Sequence, residues 1–137
     1  MRLKLESLSD VEFLEEFENL TLKPEEFNHT AHIRIAWLYL SKYNLEDAIL
    51  LTCKGIKCYA ESLGAKEKYH ATITCALVRI ISLKKNLSRG QNFACFIDTN
   101  KNLVNNALKI LKQYYSDELL FSEKARLTYV EPDISRL

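Results

Sequence analysis

A chain of 137 residues with 47% apolar and 27% charged side chains is long enough to bury a core without disulfide or metal support. Its net charge of +1 excludes a dedicated nucleic-acid binder, and three Gly with two Pro disfavour a turn-rich β architecture. No stretch approaches the roughly 18 uninterrupted apolar residues of a spanning helix, and Met1–Glu6 lacks the apolar run of a signal peptide, so a soluble, cytoplasmic protein with no membrane partner is expected.

The charge is uneven. Residues 1–26 hold eight acids against three bases, as in a solvated acidic helix laid on a mildly basic body. Ser9-Asp10-Val11-Glu12 has the pattern of a capping box and opens a short helix to about Asn19, with Val11, Leu14, Phe17 and Leu20 as its buried stripe. Pro24 follows a break and suits the start of a helical turn.

A second helix is predicted from His29 to Tyr43, capped by Asn28. Apolar residues surround it almost completely (Ile33, Ile35, Ala36, Trp37, Leu38, Leu40), which marks a central, buried element. Asn44 caps a third helix to about Leu63, with Leu45, Ile49, Ile56, Tyr59 and Leu63 facing inward and Gly64 supplying a left-handed terminus. A fourth spans about Lys68 to Leu87; Thr72, Arg79 and Asn86 repeat every seven residues and mark an outer face, leaving His70, Ile73, Thr74, Leu77, Ile80 and Ile81 inside. A short helix, Asn92 to Ile97, leads to a fifth long one, Lys101 to Tyr115. Ser116 and Ser122 cap short closing helices, and Pro132 favours an extended tail. The expectation is one all-α domain over residues 1–137: a bundle of about four long helices with short N-terminal and closing helices. Cys53, Cys58, Cys75 and Cys95 form no Cys-x-x-Cys pair and read as reduced core residues.

The chain has only three histidines, and topology gathers them. His29 and His32, three residues apart, share a helix face, being about 60° apart around the axis. Short links make helices two and four parallel, which brings His70 to the end where His29 and His32 lie. Three neutral imidazoles with an open position constitute a catalytic metal arrangement for zinc, iron, copper or nickel (Zn, Fe, Cu or Ni). Glu25, Glu26, Glu131 and Asp133 are candidate fourth ligands, and Thr74 is placed to orient a ring. Two other readings stand beside this one. Histidines at helix N-termini also suit a metal-free pocket that binds a ligand or exchanges protons, and buried histidines are often hydrogen-bonded parts of a core. Arg126 is expected to hold the tail through Glu131 and Asp133, and Arg34 to form an outer ion pair.

The motifs Phe27-x-His29-x-x-His32-Ile33, Tyr69-His70-x-Thr72-Ile73-Thr74, Tyr114-Tyr115-Ser116, Ala125-Arg126 and Val130-Glu131-Pro132-Asp133 together resemble a family of small, uncharacterised bacterial all-helical proteins. The resemblance runs from about residue 27 to the end and brings no activity with it. It implies that His29, His32, His70, Thr74, Tyr115, Ser116, Arg126, Glu131 and Asp133 occupy signature positions, with Tyr129 standing where tryptophan is expected. Two functions from different classes follow: a metal-dependent small-molecule enzyme built on the three-histidine pocket, or a non-catalytic ligand-binding or protein-interaction module with structural core histidines. A homodimer through an uncovered apolar helix face is a further expectation.

Overall fold

The computed structural model describes residues 8–87, 90 and 92–137. Among them the secondary structure is helical throughout, with α1 (Asp10–Glu18), α2 (His29–Lys42), α3 (Leu45–Ser62), α4 (Ala71–Leu87), α5 (Phe93–Thr99), α6 (Lys101–Asn105), α7 (Ala107–Leu111), α8 (Asp117–Leu120) and α9 (Glu123–Leu127). Two 3₁₀ turns, Pro24–Glu26 and Lys66–Lys68, lead into α2 and α4. The expectation of about four long helices is corrected to three: α2, α3 and α4, each packed on the other two.

Caps fix where these helices begin. Ser9 and Glu12 exchange the reciprocal bonds of a capping box at 3.1 and 2.9 Å, and Asn28 and Asn44 accept from the third amide of α2 and α3 at 2.9 and 2.8 Å. Gly64 ends α3 at φ +70, where the Gly64 and Ala65 amides reach back to Glu61 and Ala60. The same reversal closes α1, with Leu20 in the left-handed position at φ +63. This overturns the expected α1 stripe. Leu20 and Val11 point outward, while Phe13, Leu14 and Phe17 are buried and Leu22, beyond the reversal, fills the core. A non-glycine left-handed residue costs about 1 kcal/mol or more, which burying Leu22 offsets.

The expected helix from Lys101 to Tyr115 is interrupted at Asn106, whose backbone sits at φ −138 and ψ 38. Asparagine side chains compete for backbone hydrogen bonds and favour such breaks. The interruption re-aims the chain, so that α6 packs on α2 and α7 on α4. Leu103 and Leu111 are both wholly buried as a result.

The α4 face that the sevenfold repeat marked as outer is exposed at Asn86 but not at Thr72. Thr72 is fully buried because residues 128–130 lie across it. Its hydroxyl donates to the Thr128 carbonyl at 2.9 Å and accepts from the Val130 amide at 3.1 Å, while the Arg79 guanidinium lies 5.3 Å from the Tyr129 ring centre. Replacing Thr72 by Val keeps the shape and strands both backbone partners. Chemical denaturation should show a loss of about 1–3 kcal/mol, with faster hydrogen exchange at the Val130 amide; an unchanged exchange rate would contradict this role.

The core joins α1 to α3 through aromatic packing. Phe17, Phe27 and Tyr59 form one cluster, with Phe27 and Tyr59 centred 4.1 Å apart. Gly55, in mid-α3, lets the Phe17 ring approach: a Cβ there would lie 2.7 Å from Phe17 Cε2. Arg34 turns outward as expected, pairing with Asp10 at 2.8 Å.

Candidate functional site: a histidine-lined apolar cavity

The N-terminal ends of α2 and α4, facing the middle of α3, enclose a cavity of about 210 Å³. His29, His32 and His70 all line it. Beyond them the walls are aliphatic, from Ile33 and Ala36 on α2, Ile56 on α3, and Ile73, Leu77 and Ile81 on α4. Both α2 and α4 pass from histidine to aliphatic residues along the cavity, as parallel helices do.

The three imidazoles have different duties. His29 donates through Nε2 to the Leu103 carbonyl at 2.8 Å, and His70 donates through Nε2 to the Leu120 carbonyl at 2.9 Å. Both carbonyls lie in the last turns of short helices, α6 and α8, where the backbone lacks intrahelical donors. His70 also caps α4, its Nδ1 accepting from the Ile73 amide at 3.1 Å. Those two bonds fix His70 as the neutral Nε2–H tautomer with no lone pair to spare. Burial holds its pKa below the ordinary value, the Leu120 bond opposes the shift, and the nearby Arg126 charge adds to it.

His32 is the exception. Its Nε2 is buried and has no hydrogen-bond partner in the fold. The ring packs edge-on against Phe27, 4.3 Å between centres, and lies 6.3 Å from the His29 ring. Burial, with a smaller contribution from His29, lowers its pKa to about 4, so it is neutral at pH 7.

A second orphan lines the same space. Thr52 on α3 is 1% exposed, and its Oγ1 has no partner. Sequence reasoning missed it, although a signal existed: position 52 lies between Ile49 and Ile56 on the inward stripe of α3, where a polar residue is out of pattern. Tyr69 and Lys68 complete the lining, Lys68 from the exposed rim.

The other expected site residues are scattered. Thr74 lines the cavity, but its hydroxyl donates to its own helix at the His70 carbonyl, 2.8 Å away. Tyr115 is wholly buried and donates to the Val130 carbonyl at 2.7 Å. Ser116 caps α8 and binds Asp133 twice, through its amide at 2.8 Å and its hydroxyl at 2.7 Å; these bonds hold the Asp133 carboxyl below its usual pKa. The tail is therefore held by Ser116, not by Arg126, which pairs instead with Glu123 one turn away at 2.9 Å. Glu131 is exposed. None of these last five residues lines the cavity.

No family model, curated protein or solved structure matches this chain.

As placed, the imidazoles do not fit a shared metal ion. His70 has both nitrogens engaged, and the Nε2 of His29 carries the proton it gives to Leu103. Among the described residues, no group of three or more His, Cys, Asp or Glu side chains is arranged to hold a metal. The chemistry available is that of an apolar chamber with two unpaired polar atoms, His32 Nε2 and Thr52 Oγ1.

Proposed function

We propose that this protein is a non-catalytic binding module for a small, mainly apolar molecule carrying one uncharged polar group. The observation behind this reading is the pairing of an aliphatic cavity with two buried, unpartnered polar atoms. A buried polar group without a partner costs about 1–3 kcal/mol, and small-molecule sites are apolar pockets with a few such groups that fix orientation. A volume of about 210 Å³ suits a substituted aromatic ring or a short branched chain. Because the His32 ring is neutral at pH 7, a hydroxyl or carbonyl fits it better than a carboxylate. A ligand hydroxyl can serve either His32 tautomer and meet the Thr52 hydroxyl as well.

The probes are p-cresol and toluene, matched in size and differing in one hydroxyl, titrated by calorimetry. In the wild type p-cresol should bind about tenfold more tightly than toluene, the worth of one net hydrogen bond. In Thr52→Val that preference should shrink, while the free protein becomes more stable by about 1 kcal/mol because an unpaired hydroxyl has been removed. A stabilised variant with unchanged discrimination would assign Thr52 to the core alone. Failure of both compounds to bind the wild type, or stoichiometric zinc retained by the wild type and lost in His32→Ala, would overturn the proposal.

A further inference from the structure

Cys53 on α3 and Cys75 on α4 stand with their sulfur atoms 2.7 Å apart, both as free thiols. The four cysteines are not core residues as the sequence suggested. Cys58 and Cys95 are exposed, and Cys53 and Cys75 are half-buried. The cavity chemistry does not use this pair. Each cysteine directly follows a cavity-lining threonine, Thr52 or Thr74.

We propose that Cys53 and Cys75 are a dithiol couple that closes into a disulfide by exchange with a small-molecule disulfide, linking α3 to α4 beside the cavity. A disulfide needs its sulfurs at roughly 2.05 Å, so only a short approach separates the observed pair from the bond. Cys75 is the entry point. Its thiol pKa is lowered because the Cys53 thiol hydrogen-bonds its sulfur and Arg79, one turn along α4, favours the anion. The hydrogen bond to Cys75 and burial raise that of Cys53.

The exchange balances in two steps. The Cys75 thiolate attacks one sulfur of RS–SR, forming a Cys75 mixed disulfide and releasing RS⁻. Cys53 then gives its proton to RS⁻ and attacks the Cys75 sulfur, expelling the second RS⁻. The proton that Cys75 lost on ionising ends on this second RS⁻, so the protein gives up two protons and two electrons in all and the small disulfide is reduced to two thiols.

The test uses oxidised glutathione on the full chain carrying Cys58→Ser and Cys95→Ser, both at exposed positions. Mass spectrometry should find one species two hydrogens lighter, with the peptides containing residues 53 and 75 joined, and dithiothreitol should restore the dithiol. Full alkylation of both thiols after the oxidation step, or separate glutathione adducts on each, would overturn the couple. Adding Cys53→Ser should trap a single glutathione on Cys75, whereas adding Cys75→Ser should slow modification of Cys53 at least tenfold. Faster modification of Cys53 than of Cys75 in these variants would overturn the order of attack. If either serine variant fails to fold, the linked-peptide result from the intact pair still decides the proposal.

Discussion

Acidification from pH 6.5 to pH 4 is expected to remove about 3 kcal/mol of folding stability through His32 alone. The sign follows from the depressed pKa. In the unfolded chain an imidazole titrates near 6.5, while in the fold His32 titrates at about 4. Between those values the unfolded chain binds the extra proton and the folded one does not, so stability falls as pH falls. Above pH 6.5 both states are neutral and the full stability is present. His70, also depressed, contributes in the same direction, because a proton on its Nδ1 would break the cap to Ile73. The lowered carboxyls of Glu123 and Asp133 add a loss of the same sign that sets in near the lower end of this window and continues below it. Urea denaturation at several pH values measures the slope, and His32→Leu should flatten most of it whatever its effect on absolute stability. A wild-type slope near zero between pH 6.5 and 4, or one that survives the substitution, would show that His32 reaches solvent.

The largest single-residue loss is expected from Tyr59→Ala, about 3–5 kcal/mol. Tyr59 is wholly buried near the end of α3, its ring tilted against those of Phe27 and Phe17, and its hydroxyl donates to the Leu22 carbonyl. Truncation removes the ring that holds α1 and the following segment onto α3, and its neighbours are rings whose own packing limits collapse into the gap. Tyr59→Phe keeps the ring and strands only the Leu22 carbonyl, so about 1–2 kcal/mol is expected there. Because Phe27 packs edge-on against His32, the alanine variant should also let water reach that imidazole. Its pKa, followed by NMR, should move back toward 6.5; an unmoved pKa would separate the aromatic cluster from the cavity.

Much of this architecture is written locally. Ser9 with Glu12, Asn28, Asn44, Ser116 and Ser122 all cap the helices that their positions in the sequence predict, because a cap depends on side chain and backbone only three residues apart. The parallel run of α2 and α4 was also legible, since short links leave little choice, and it places the three histidines around one cavity. What could not be read depended on distant partners. Nothing near His29 or His70 reveals that carbonyls 74 and 50 residues away accept their hydrogen bonds. Likewise, Thr72 looked solvated because the segment that covers it lies more than 50 residues along the chain. Asn106 misled for a local reason: the apolar stripe from Leu103 to Tyr115 continues through a break that two neighbouring asparagines permit.

The two histidine-to-carbonyl ties carry a consequence for the dynamics of the chamber. They join the mouth of the cavity to α6 and α8, so the polar end of the chamber is finished only when these late, short segments dock onto α2 and α4. Transient undocking of the C-terminal third would release both rings and unseal the interior. A molecule held inside therefore favours the docked arrangement over the undocked one and slows amide exchange as far away as Leu120, with no contact between guest and protected residue.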